Sequence, residues 1–132
     1  QEVCSGQLEP LLHDGEVLVR VAALRALETL GELGVPACEE VAKLIGQDEE
    51  EESAAASAAF VSFGPRASTA APGVALHLNH REDRVRRRAV RTLTTAHRDV
   101  ALAAGPCVAE VLCSAADAAV AEACALVLGS LG

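Results

Sequence analysis

Aromatic side chains are almost missing from this sequence. Phe60 and Phe63 are the only two, and Trp, Tyr and Met are absent. The core must therefore be filled by Ala, Leu and Val, and Ala alone takes 27 of the 132 positions. Small side chains of this kind suit closely spaced helices and not a β-sandwich, whose strands draw on β-branched and aromatic residues. The shortage of rings also removes the stacking platforms on which single-stranded nucleic acids are held. Gly and Pro number 10 and 5, too few for a collagen-like or low-complexity chain. No apolar run approaches the roughly 18 residues of a membrane span. No transmembrane segment is expected, which leaves room for a peripheral place on a membrane complex. The opening Gln1-Glu2-Val3-Cys4 lacks Met and any basic stretch leading into an apolar one. No signal peptide is visible there, as in a processed chain or a piece of a longer one.

The charge is unevenly spread. The formal net charge is −8, but residues 1–52 hold 13 acidic and 3 basic groups, and residues 53–100 hold 3 acidic and 8 basic ones. An acidic chain repels phosphate backbones, whereas a dipolar one can steer onto a charged protein surface. Five cysteines, Cys4, Cys38, Cys107, Cys113 and Cys124, form no C-x-x-C motif. They read as reduced thiols acting as small apolar residues, with a Cys107–Cys113 disulfide or a metal site as the other readings. A reducing compartment is favoured, either cytoplasm or an organelle stroma or matrix.

An internal repeat organises the chain. From Val19-Arg20, small or apolar residues recur at Ala23, Ala26, Leu27 and Leu30, ending in Gly31. This is one stripe of an amphipathic helix. The same offsets recur from Glu52-Ser53, from Val85-Arg86 and from Val120-Ala121, at spacings of 33, 33 and 35 residues. A shorter apolar segment precedes each, around Leu8–Leu12, Val41–Ile45, Val74–Leu78 and Val108–Leu112. The unit is a short helix, a turn and a longer helix. Its expected bounds are 7–33, 36–64, 70–98 and 104–132, in one domain spanning 1–132. Asp14, Asp48, Asp83 and Asp117 stand where N-caps are wanted, Gly31, Gly34 and Gly64 where helices should stop. Pro36, Pro72 and Pro106 are expected to open the short helices. Pro10, inside the first apolar segment, is expected to distort it. Leu27, Phe60, Leu93 and Leu128 occupy one equivalent central position and are expected in the core.

The run Asp14, Val19-Arg20, Ala23, Ala26-Leu27, Leu30-Gly31 resembles the short-period HEAT repeats found in proteins related to phycobilisome lyases. The third unit keeps Val85-Arg86, the second has Glu52-Ser53 in that place, and the fourth has Ala121 in place of Arg. The resemblance implies an all-α fold, a right-handed α-solenoid of about four HEAT-like helical hairpins, with the longer helices lining the concave side. It also implies a ladder between units built from the turn Asp and the Arg of Val-Arg. Arg20 and Arg86 alone are able to join it. One such unit cannot bury its stripe alone, so the apolar end at Leu131-Gly132 implies either a longer array or a covering partner.

The resemblance is uninformative about activity. HEAT-like hydroxylases hold iron through His-Glu dipeptides, and this chain has none. No G-x-S-x-G, P-loop or dinucleotide fingerprint is present, and no residue set suggests a bilin site or an activated thiol. No cofactor is expected, and the chain reads as not an enzyme. His77 and His80 form an H-x-x-H, but His77 fills the slot of Leu44 and Val111 in sister units, so a half-buried structural histidine is expected. The acids from Asp48 to Glu52 read as a first helical turn complementing the helix dipole, or else as a patch for a basic partner.

The Arg cluster is the main candidate site. Arg84, Arg88, Arg91, Thr95 and Arg98 are spaced to form one stripe on the third long helix, flanked by Arg87. Val85, Ala89, Leu93 and Ala96 form the opposite, core-facing stripe. Aligned positions on neighbouring helices are small or apolar: Val21, Ala54, Ala55, Ala58, Val61 and Leu126 among them. A low floor beside an Arg stripe suits a protein partner with an acidic segment. The expected function is a non-catalytic scaffold or accessory subunit of a larger assembly, binding through the concave helix face. No nucleic acid is expected. The alternatives are a nucleic-acid binder using the Arg stripe and a bilin-lyase-like accessory protein.

Overall fold

The structure, a computed structural model, describes residues 8–115 and 117–131. Cys4, the first residue of the first expected unit and Gly132 lie outside the described residues. Among the described residues the fold is all helical, without strands. Four longer helices dominate: α1 (Val17–Leu30), α3 (Glu50–Ser62), α5 (Asp83–Thr95) and α7 (Ala118–Gly129). Their starts lie 33, 33 and 35 residues apart, the period carried by the apolar stripe. Between them run α2 (Cys38–Leu44), α4 (Ala71–Ala75) and α6 (Arg98–Ser114). Tighter 3₁₀ segments, Glu9–His13, Gly31–Ala37, Gly64–Ala70 and Leu76–Asn79, complete the connections. The first of these holds Pro10 and replaces a regular α-helix. No described helix is long and apolar enough to cross a membrane.

Packing follows the alternation. α1 lies on α3, α3 on α5 and α5 on α7, while α2 lies on α4 and α4 on α6. A nearly ring-free core fits this arrangement, because Ala56, Ala59, Ala71, Ala75, Ala89 and Ala104 are fully buried and let backbones approach closely. Leu27, Phe60 and Leu93 are buried at their equivalent positions, and Leu128 is half-buried. α7 packs on α5, on α6 and on the Leu76–Asn79 segment. The two rings meet edge to face, with centroids 6.3 Å apart. Gly34 makes room for Phe63: a Cβ there would sit 2.7 Å from its Cε1.

The punctuation is partly as expected. Gly31 and Gly64 have φ of 59° and 76° and follow α1 and α3, a conformation that glycine takes without strain. Asp117 caps α7, its carboxylate accepting from Ala119 N–H at 2.8 Å. Asp14, Asp48 and Asp83 do not cap. The N-cap positions are Glu16, Glu49 and Glu82. Asp14 instead accepts from Glu16 N–H at 2.8 Å, closing a turn ahead of the helix. Asp83 is already inside α5, where it pairs with Arg86 and Arg87. The largest departure concerns α6. It starts at Arg98, its N-cap His97 accepting from Asp99 N–H, and continues through Pro106. Proline removes one helical bond there, but Pro106 and Leu102, whose carbonyl loses it, are both exposed to water. α5 accordingly ends at Thr95, and Ala96 is extended.

Candidate functional site

α5 is amphipathic to an extreme. Val85, Ala89, Thr92 and Leu93 point into the core, and Arg84, Arg87, Arg88 and Arg91 point away from it. Arg86, at the Val-Arg position, is buried: its guanidinium donates to the His80 and Arg81 carbonyls at 2.7 and 3.0 Å and pairs with Asp83. Arg20 does the same in the first unit, donating to Asp14 O at 2.6 Å, and then reaches one unit further. Its Nε and Nη2 grip both oxygens of Glu52 at 2.7 and 3.1 Å. Glu52 is 1% exposed and Arg20 17%. Hydrogen bonding and charge from Glu52 raise the Arg20 pKa above its ordinary value, against the opposing effect of burial.

The acidic run works as a clamp between units. Glu50, Glu51 and Glu52 open α3, and each reaches a neighbouring long helix: Glu51 pairs with Arg25 of α1 at 3.2 Å, and Glu50 with Arg84 and Arg88 of α5. No side chain caps α3. Composition alone did not single out Glu50 and Glu52. A signal was nevertheless present: 32 residues separate Arg20 from Glu52, and 34 separate Glu50 from Arg84, each about one repeat. Ser57 and Thr92 add a buried bridge between α3 and α5 at 2.5 Å. Thr92 uses its proton on Arg88 O, so Ser57 donates to Thr92.

Two adjacent clefts result. The first, of about 360 Å³, has walls of Arg84, Arg87, Arg88 and Arg91 with Glu50 and Asp83. The second, of about 330 Å³, has Ala54, Ala58 and Val61 as its floor, is also lined by Glu28 and Thr95, and shares Arg88 and Arg91. Arg87 is 82% exposed and, among the described residues, pairs only with Asp83, at 2.7 Å. The Arg91 guanidinium is exposed, without an ion pair among the described residues. Leu126, 58% exposed, lies in a separate cleft between α5 and α7 with Val90 and Ala119.

Three expected surface residues lie elsewhere. Val21 and Ala55 are only 4% and 6% exposed, because close packing of α1 on α3 takes them into the core. Arg98 is not on the third long helix. It opens α6, and its Nη2 donates to Leu131 O at 2.9 Å. The stripe thus narrows to Arg84, Arg87, Arg88 and Arg91, with Arg84 and Arg88 tied to Glu50.

His77 packs between units, Nε2 lying 2.8 Å from Ala42 O. The ring presses on Gly46, where a Cβ would come within 2.6 Å of it. Burial pushes the His77 pKa below its ordinary 6.5, helped by His80 and opposed by the Ala42 hydrogen bond. The unfolded chain therefore takes up this proton first. The contribution of His77 to stability is full above pH 6.5 and declines as pH falls below that value. Urea titrations at pH 7.5 and 5.5 are expected to show a smaller acid loss in His77→Leu than in the wild type. Identical losses would refute this role.

Cys38, Cys107, Cys113 and Cys124 are free thiols. Burial raises the pKa of Cys38, Cys107 and Cys124, which makes them poor nucleophiles. No cluster of three metal-ligating side chains is found among the described residues.

No protein-family model and no curated protein matches the chain. Among solved structures, the crystal structure of an engineered protein is similar, with 16% identity and a TM-score of 0.59. The likeness covers 96% of this chain and 62% of that one, so this chain spans under two thirds of the engineered protein's length. At such low identity it is the fold that is alike.

Proposed function

We propose that the chain is a non-catalytic protein–protein interaction module, an accessory subunit of a larger assembly. In this reading it is a right-handed α-solenoid of about four HEAT-like helical hairpins that binds a partner on its long-helix face. The spacing of helix starts and the packing of each long helix on the next support the architecture. One observation carries the functional part. Unlike Arg84 and Arg88, Arg91 has no ion pair among the described residues and lies beside a small apolar floor of Ala54, Ala58 and Val61, in a cleft also lined by Glu28. Small residues admit another backbone closely, and a free guanidinium supplies direction. The partner has an acidic segment. The net charge of −8 speaks against nucleic acid.

The test is capture from native extract on immobilised wild type, Ala58→Glu and Arg91→Glu, followed by quantitative mass spectrometry. Arg88 is left intact, because reversing it would set a carboxylate against Glu50. A defined set of proteins is expected on the wild type and depleted on both variants, with binding weakened by about 2 kcal/mol or more. Helicity and melting temperature should not change. Equal capture by all three proteins, or a salt-dependent complex with duplex DNA or RNA, would reject the proposal.

A further inference from the structure

The first cleft carries charge that the fold leaves uncompensated. It sets four guanidinium groups against two carboxylates, in a chain of net charge −8. Glu50 already serves Arg84 and Arg88, Glu82 also pairs with Arg84, and Asp83 serves Arg86 and Arg87. Arg91 is left over, and Nε of Arg88 is buried without an acceptor among the described residues. The missing element is an anion with several acceptor atoms. A phosphomonoester brings close to two negative charges at pH 7 and three strong acceptor oxygens. Arg87, Arg88 and Arg91 lie within about one helical turn of α5, which suits three donors around one tetrahedral group.

The second cleft indicates what carries that group. It continues from the first across the shared Arg88 and Arg91 onto Ala54, Ala58 and Val61. Such a floor accepts a short aliphatic side chain and presents no ring to a base. A polyanion would also have to pass the acids that crowd residues 1–52, where 13 of the 19 lie. We infer that the Arg87–Arg88–Arg91 wall receives a phosphorylated side chain of a partner peptide, whose neighbouring small apolar residue lies on the Ala54–Ala58–Val61 floor. This rests on the interaction-surface reading above and names its ligand.

Calorimetric and NMR titrations of the whole chain would use acetylated, amidated Ala-Val-pSer-Val-Ala, its Ser and Glu counterparts, inorganic phosphate and a single-stranded oligonucleotide. The phosphopeptide is expected to bind about tenfold or more tightly than the Ser and Glu peptides, as charge-assisted hydrogen bonds to a dianion require. It should also bind more tightly than free phosphate, which lacks the apolar contact. Its affinity should fall as pH drops through about 6, where the second phosphate proton returns. Arg91→Ala should lower the affinity about tenfold with an unchanged melting temperature, since one charge-assisted contact is lost and no contact within the fold. Arg66→Ala, on a distant 3₁₀ segment, should have no effect. Equal binding of the phosphoserine and serine peptides would overturn the inference. So would free phosphate or the oligonucleotide matching the phosphopeptide, or an unaffected Arg91→Ala. If these arms fail while Ala58→Glu still abolishes capture of a protein partner, the anion site falls and the interaction surface stands.

Discussion

Truncating Phe60 to alanine is expected to cost about 3–5 kcal/mol. Phe60 is 1% exposed and packs edge to face on Phe63, the only other phenylalanine in the chain. Ala56 and Ala59 flank Phe60 on α3, and Ala has no rotamers. A cavity that cannot collapse loses the dispersion contacts of its lining in addition to the transfer free energy of the ring. Globular domains are stable by only about 5–15 kcal/mol, so one such change removes a large share. Each unit leans on the next, and the loss should shift the whole urea transition and not split it. Leu128→Ala, at the equivalent but half-buried position of α7, should cost clearly less. A Phe60→Ala loss below about 1 kcal/mol would mean that the site relaxes and that the core is not the rigid assembly described.

Removing the Glu52 carboxylate is the second severe change. Glu52→Ala is expected to destabilise by about 3 kcal/mol, the lower end for breaking a buried ion pair. The lower end applies because Arg20 keeps its bond to the Asp14 carbonyl and 17% of its side-chain surface in water. The reverse disruption, Arg20→Leu, strands the carboxylate of Glu52 at 1% exposure and should be the worse of the two. The double variant Arg20→Leu with Glu52→Leu should recover much of the loss, because apolar replacement of a buried pair is often close to neutral. Removal of the exposed partner pair Arg25 and Glu51 should change little. Chemical denaturation of the wild type, Arg20→Leu, Glu52→Leu and the double variant gives the coupling directly. Additive losses for Arg20 and Glu52 would show that the pair does not act as a unit.

The repeat period and three of the four central core positions were legible in the residues. Leu27, Phe60 and Leu93 needed no tertiary information, because apolar periodicity fixes which face of a helix avoids water. Gly31 and Gly64 were legible for the same local reason: few other residues turn the chain at positive φ. The end of α5 was not. An Arg stripe continued at helical spacing to Arg98, while the backbone became extended at Ala96 and α6 began. Side-chain spacing continues smoothly across a helix end that only packing enforces. Val21 and Ala55 were misplaced for a related reason. Where α1 and α3 approach through small side chains, the contact zone widens beyond the apolar stripe and takes in flanking positions.

By itself the sequence determined the helical class, the unit length and the supply of charge, since each depends on interactions within one helix or one turn. Only the tertiary structure decided which charges are neutralised and which remain free. Glu50 and Arg84 are 34 residues apart and meet only when α3 and α5 pack side by side. That packing withdraws Arg84 and Arg88 into a clamp, buries Glu52 under Arg20 and leaves the guanidinium of Arg91 facing an open cleft. Pairing of this kind depends on distances of a few ångströms between helices, which no spacing within a single helix encodes.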